Sequence, residues 1–262
     1  MTIRHLIFVL LLLSLPAVGQ DQRFSDVAAK DDITVAEVDS MIEATSSRED
    51  LDDETMAQVL EMLRDARAQI QIRLDAEAAA AGFAASLNTA PARLEELRTR
   101  LEESVPEESA PDASTIDESI ALEELQQELA AAIADLTVAD SRLADLRKQV
   151  ENQISRPAVA RERLGQLRSS QQELNALDDS QSVSGEPRIL SDARNLATRL
   201  HRAAQNAEIN KLEQELLSHP VRLSLLQAQR DLSLRAQEVS SERVGLLRAA
   251  VNDRRQSAAV LA

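Results

Sequence analysis

The stretch LEELQQELAAAIADLTVADSRLADLRKQV, residues 122–150, repeats an apolar side chain every seven residues. One set of positions holds Leu122, Leu129, Leu136, Leu143 and Val150. A companion set three positions further on holds Leu125, Ala132, Ala139 and Leu146. This spacing is typical of helices that pack as a coiled coil. The stretch therefore predicts a long amphipathic helix with a narrow Leu/Ala face.

The residues before this stretch predict N-terminal helices over 34–104. Thr34 with Glu37 is a capping-box pattern, which opens a short helix to about Thr45. A longer helix is expected from Asp52, and the segment Asn88-Thr89-Ala90-Pro91 predicts a cap or kink within it. The apolar stripe expected on this helix consists of Met56, Leu60, Leu63, Ile70 and Leu74, followed after the kink by Leu94, Leu97 and Leu101.

Prolines and loops divide the remainder of the chain. An acidic loop is expected over 105–115, with Thr115 and Glu118 capping the next helix, and a second loop is expected over 179–186. Helix junctions are expected at Ser155-Arg156-Pro157 and at Ser218-His219-Pro220. The sequence thus predicts a hairpin over 116–178 and a C-terminal hairpin over 187–262 starting at Pro187. A second seven-residue repeat in the latter holds Leu225, Leu232, Val239 and Leu246.

The composition favours the same architecture. Aromatic residues make up 1% of the chain and Trp and Tyr are absent, so a thick globular core would be difficult to fill. Only five glycines and seven prolines interrupt the sequence, which favours long helices. The predicted fold class is all-α, with long antiparallel helical hairpins and coiled-coil packing in an elongated body.

The N-terminus predicts export. Arg4 and His5 precede an apolar run over 6–15, and the small residues Ala17 and Gly19 follow Pro16. This order is typical of a cleaved signal peptide over 1–19, since ten apolar residues are too few to span a bilayer. A flexible polar lead-in is expected over 20–33. The expected compartment is the periplasm, where a chain without cysteine has no disulfides.

Charge and side-chain chemistry exclude several functional classes. The net charge of −16 gives no basic stripe for nucleic acid. No cysteine is available for catalysis or zinc binding, and the mature chain keeps only His201 and His219, which are read as a helix residue and a polar linker residue. The adjacent pairs Glu95-Glu96 and Glu123-Glu124 point in different directions on a helix. We therefore predict no catalytic, cofactor-binding or metal site, and a protein that is not an enzyme.

The last third of the chain resembles a known family. The run ELLSHPVRLSLLQAQRDL, residues 215–232, together with 207–214 before it, is similar to the N-terminal periplasmic domain, often labelled a porin domain, of large mechanosensitive channels. These belong to the MscS superfamily, of the potassium-regulated MscK-like type. Leu94-Glu95-Glu96-Leu97-Arg98 and the 122–150 heptads look like that domain too. The resemblance covers about residues 50–255.

The resemblance implies a periplasmic helical domain that modulates a channel in osmotic stress and does not conduct ions by itself. Its partners would be the rest of a membrane channel chain or its subunits, with a homo-oligomer in the full-length context and no small-molecule substrate. The end at Ala262 leads us to expect a channel region downstream. The alternative is a stand-alone periplasmic coiled-coil adaptor or scaffold protein.

Overall fold

The structure, a computed structural model, describes residues 18–30, 32–103, 120–178 and 186–261. Within these ranges it has five helices and no strand. The helices are α1 (Val18–Ala28), α2 (Val35–Ser46), α3 (Asp53–Glu103), α4 (Leu122–Asp178) and α5 (Arg188–Leu261). The all-α prediction is confirmed. Several predicted features lie outside the described residues. They are the first 17 residues of the predicted signal peptide, the loop over 105–115, the cap at Thr115 and the loop over 179–186 except its last residue.

Local capping determines where α2, α3 and α5 begin. The Thr34 hydroxyl accepts from the Glu37 backbone N–H at 3.3 Å, while the Glu37 carboxylate accepts from the Thr34 N–H at 2.9 Å, so the predicted capping box is present. Asp52 caps α3, since its carboxylate accepts from the Thr55 N–H at 2.9 Å. Pro187 lies directly before α5, and its carbonyl accepts from the Ser191 N–H at 3.2 Å.

The helix junctions predicted at Pro157 and Pro220 are wrong, and so is a helix cap at Pro91, whereas a kink at Pro91 stays a prediction. Pro91, Pro157 and Pro220 all lie within continuous helices. A proline in a helix interior removes one backbone hydrogen bond and costs about 3 kcal/mol. Packing against the long neighbouring helices offsets this cost. Rules that consider one residue at a time do not include such packing. The hairpins predicted inside 116–178 and 187–262 therefore do not form, because α4 and α5 are each a single helix.

Residues 20–33 were expected to be a flexible lead-in, but most of them form α1. Phe24 and Ala28 on this helix are buried in a core. The Arg199 guanidinium of α5 donates from Nη2 to the carbonyls of Ala28 and Lys30 at 2.5 and 2.8 Å. These contacts satisfy carbonyls at the end of α1 that have no partner within the helix. The polar sequence did not indicate α1 because its few apolar residues are buried against residues distant in the chain.

The chain divides into two compact units. Unit 1 comprises residues 1–78 and 167–210, and unit 2 comprises residues 79–166 and 211–262. In unit 1, α1, α2 and the first part of α3 enclose a core with the first part of α5. The largest fully buried apolar side chains of this core are Ile33, Val38, Val59, Leu63, Ile70 and Leu196.

In unit 2, α4 and α5 run antiparallel. The beginning of α4, with Leu125 and Ala132, packs with the end of α5, with Val244, Leu247 and Val251. All the predicted heptad positions on α4 from Leu122 to Val150 are buried or half-buried, while Val138 between them is 69% exposed. The predicted helical face on α4 is therefore the face that packs.

Each of two predicted stripes has one exposed member, while its other members are buried or half-buried. On α5, Val239 is 59% exposed, and the packing positions toward the end are Val244, Leu247 and Val251. On α3, Leu74 is 43% exposed. The buried positions of α3 are Val59, Leu63, Ala66, Ile70, Ala76, Ala80 and Ala90. Several of them are alanines, because small side chains allow close helix contacts. Ala76 and Ala80 belong to the Ala-rich stretch over 76–85, which the sequence predicts as the continuation of this stripe.

Candidate functional site: a polar layer across three helices

The candidate site is a group of polar side chains in the middle of unit 2, where an apolar helix contact would be expected. We call it the polar layer. It consists of Phe83 from α3, Gln153 and Arg156 from α4, and Glu215, Ser218, His219 and Arg222 from α5. Three of its polar members, Gln153, Glu215 and Ser218, are at most 8% exposed. Buried polar groups of this kind need partners, so their contacts define what the layer does.

An ion pair with two hydrogen bonds joins α4 to α5 in this layer. Arg156 donates from Nε to Oε1 of Glu215 at 2.5 Å and from Nη2 to Oε2 at 3.0 Å. The Glu215 side chain is 6% exposed and that of Arg156 is 42% exposed. The hydrogen bonds to Glu215 raise the pKa of Arg156 above its ordinary value. The bidentate geometry of this ion pair fixes the rotation of each helix at this level.

The backbone carbonyl of Gln153 on α4 accepts a hydrogen bond from a side chain of α5. Pro157 has no N–H, so the carbonyl of Gln153, four residues earlier, lacks its ordinary helical partner. Nε2 of His219 lies 2.8 Å from this oxygen. Since a carbonyl can only accept, the imidazole carries its proton on Nε2 and donates it. The α5 side chain thus replaces the hydrogen bond that α4 lost.

The side chain of Gln153 completes a link to α3. Arg222 donates from Nη2 to Oε1 of Gln153 at 3.2 Å. Its guanidinium carbon lies 4.6 Å from the ring centroid of Phe83, in cation–π geometry. Burial lowers the pKa of Arg222 below its ordinary value, with Glu215 opposing and Arg156 adding to this shift. A guanidinium nevertheless stays charged at physiological pH, so Arg222 is a permanent cation between α3 and α4.

The layer is only partly satisfied. Nε2 of Gln153 and Nη1 of Arg222 are buried and have no hydrogen-bond partner among the described residues. Each such donor costs about 1–3 kcal/mol relative to a paired one. In contrast, Ser218 is satisfied within its own helix, because its hydroxyl donates to the carbonyl of Gln214 at 2.8 Å. The polar layer is therefore a local weak point in an otherwise apolar contact.

The two histidines considered from sequence lie in different units. His201 is in unit 1, where its Nε2 lies 3.0 Å from Nε2 of Gln205 on the same helix. His219 is not a linker residue, since it lies inside α5 and contacts α4. The polar layer was not predicted from the sequence. An indication was present, because Arg156 and His219, which both contact the neighbouring helix, each directly precede a proline.

The described residues offer little for catalysis or metal binding. No group of three or more His, Asp or Glu residues capable of holding a metal ion occurs in the described part of the chain. The acidic pair Glu95-Glu96 makes separate ion pairs along α3, with Arg98 at 3.4 Å and Arg100 at 2.6 Å. What the layer can do chemically is crosslink helices by charged and polar contacts.

Two of the surface grooves among the described residues are lined by residues outside the polar layer. One, of about 430 Å³, is in unit 1 and is lined mainly by α1 and α2, with Phe24, Val27 and Met41 on its apolar side. The other, of about 450 Å³, is in unit 2 between the beginning of α4 and the end of α5, next to Ile133 and Arg255. Both grooves also have polar residues in their linings, such as Glu37 and Arg48 in the first and Arg248 and Asn252 in the second.

None of the helices, over the residues that the structure describes, has a stretch long and apolar enough to cross a bilayer. Searches of curated proteins and of solved structures return no match. A comparison with protein families matches residues 41–261 to the mechanosensitive ion channel porin domain. The match covers α3, α4 and α5, the second half of α2 and the whole polar layer.

Proposed function

Because the chain belongs to the mechanosensitive ion channel porin domain family, and so is a channel-associated domain, we propose that it modulates gating in osmotic stress without conducting ions. The family match over residues 41–261 carries this proposal. We place the domain in the periplasm, exported by the segment over 1–19. Its partners are the remaining parts of a channel chain or neighbouring subunits, arranged as a homo-oligomer.

The helical packing supports a mechanical role. A domain biases a closed–open equilibrium only when it interacts differently with the two states. Long helices joined by apolar seams, such as the α4–α5 contact with Leu125 and Val251 at one end, can transmit small displacements between distant contacts. The net charge of −16 makes an anionic lipid surface an unfavourable partner, which favours protein contacts.

The test is an in-frame deletion of residues 41–261 from the channel that carries this domain. We expect single-channel conductance in membrane patches to be unchanged, because the pore lies elsewhere. We expect the pressure needed for opening to shift, and survival of a hypo-osmotic shock to change with it. A changed conductance would contradict the non-conducting role, and an unchanged opening pressure would contradict the modulatory one.

A separate experiment tests the proposed periplasmic location. Alkaline phosphatase fused after residue 40 is active only when it is exported, so a fusion carrying residues 1–40 should be active in cells. The matched control lacks residues 1–19 and should be inactive. Equal activity of the two fusions would contradict export by this segment.

One observation favours the alternative of a stand-alone scaffold. Each of the two units has its own core of buried apolar side chains. An autonomous scaffold requires such a self-contained fold, and it also requires self-association or a bound partner. Light scattering on the purified protein distinguishes the two proposals. A stable oligomer formed by the chain itself would favour the scaffold, whereas a monomer would favour a domain that assembles through the channel.

A further inference from the structure

Each of the three helices in unit 2 contains a residue that weakens a helix, and the three residues lie at one level. In α4, Pro157 removes the hydrogen bond to the carbonyl of Gln153. In α5, Pro220 removes the one to the carbonyl of Leu216. In α3, Gly82 costs about 1 kcal/mol of helix propensity relative to Ala.

The contacts of the polar layer place these residues side by side. Gln153 contacts His219, and Arg156 contacts Glu215, so residues 153–156 of α4 face residues 215–219 of α5. The two missing backbone hydrogen bonds, 153 to 157 and 216 to 220, therefore lie next to each other. Phe83, which follows Gly82, lies over Arg222, two residues after Pro220.

Burial distinguishes Pro157 from the other prolines of the long helices. Pro91 and Pro220 are exposed, whereas Pro157 is half-buried and Gln153 is 8% exposed. A carbonyl freed on the buried side of a helix pair has to find its donor in the protein. His219 provides this donor, and α4 is helical through Pro157.

We propose that this level of unit 2 is a latched hinge: Gly82, Pro157 and Pro220 are the points at which the helices bend, and the hydrogen bond from His219 to the carbonyl of Gln153 opposes bending of α4. The Arg156–Glu215 ion pair keeps the two helices in register while the latch opens and closes. This inference goes beyond the proposed channel role and is independent of it, since it concerns only contacts inside unit 2.

The first test is hydrogen exchange of backbone amides in the full chain. His219→Ala leaves the Gln153 carbonyl without a donor, so we expect exchange over 154–161 to accelerate roughly tenfold, with unit 1 unchanged. In a Pro157→Ala background, the introduced alanine supplies the missing N–H, and His219→Ala should then accelerate exchange less than about twofold. His219→Gln, which retains a donor at a similar position, should restore most of the protection.

His201→Ala is the matched control, because His201 is also half-buried on α5 but bonds within its own helix. It should leave exchange over 154–161 unchanged. The proposal is overturned if His219→Ala has the same effect with and without Pro157, or if it leaves exchange at 154–161 unaltered. Circular dichroism checks that each variant is folded, and His219→Gln keeps the test decisive if His219→Ala unfolds.

The second test measures bending directly. The chain has no cysteine, so spin labels can be attached at Lys148→Cys and Glu162→Cys, two exposed positions of α4 on either side of Pro157. Fourteen residues of straight helix separate their backbones by about 21 Å. Pulsed electron resonance should give a narrow distance distribution that broadens with His219→Ala and narrows again when Pro157→Ala is added. An equally broad distribution in the double variant would overturn the hinge.

Discussion

Arg156 and Glu215 form the ion pair that connects α4 to α5 in the polar layer, with two hydrogen bonds and a carboxylate that is 6% exposed. Because the partners differ in exposure, they should respond differently to removal. Glu215 cannot be solvated when it loses its partner, whereas the half-exposed Arg156 can reach water. Substituting each partner in turn therefore tests how much the ion pair contributes to the stability of the polar layer.

Arg156→Ala should lower the free energy of unfolding by about 2 kcal/mol, because it leaves a buried carboxylate without its main partner. Glu215→Gln should cost less, since a neutral amide is easier to bury. Chemical denaturation of both single variants and the double variant gives the coupling, expected at about 1–2 kcal/mol. Additive effects within about 0.3 kcal/mol would contradict a coupled pair.

Substitutions on the two faces of α4 distinguish the heptad face, which packs against α5, from the exposed face. Leu125→Ala removes a fully buried side chain from the contact with α5 and should cost about 2–4 kcal/mol. Val138→Ala is the control, because Val138 lies on the same helix and is 69% exposed; it should change stability by no more than about 0.5 kcal/mol. Thermal unfolding measures both, and equal losses would show that the packing face is misassigned.

The capping box of α2 should be sensitive to acid. The Lys30 ammonium, helped by the Thr34 backbone and hydroxyl, lowers the pKa of Glu37 from 4.5 to about 2. Since the folded-state pKa is depressed, the contribution of Glu37 to stability is fully present above pH 4.5 and is lost as the pH falls towards 2. An NMR titration of the Glu37 carboxyl should give a midpoint near 2, and Lys30→Ala should raise it. A midpoint of 4.5 in the unaltered protein would contradict the contact.

Arg199 should hold α1 in place. Arg199→Ala removes the donors to the carbonyls of Ala28 and Lys30, so α1 should lose its protection from hydrogen exchange roughly tenfold or more, while α4 is unaffected. Arg230→Ala is the matched control, because Arg230 lies in unit 2 and forms its ion pair with the neighbouring Asp231 on its own helix. Equal effects of the two substitutions would argue against a specific role for Arg199.

Much of the fold could be predicted from local sequence. The capping box needs only Thr34 and Glu37 at the right spacing, and the heptads from Leu122 to Val150 identify the packing face of α4 because a seven-residue period places one side of a helix against a neighbour. In α1 and in the α5 repeat, where Val239 is exposed, periodicity was weak or misleading because the packing partners lie far away in the chain.

The candidate site could not be predicted in the same way. His219 and Arg156 were read as junction residues because the prolines after them are ordinary helix breakers. The sequence by itself determined the all-α class, the caps and the seam of α4, since these depend on neighbours within a few turns. Only the tertiary structure decided how α4 continues through Pro157, because the hydrogen bond from His219 to Gln153 and the ion pair of Arg156 with Glu215 join residues 66 and 59 positions apart in the chain.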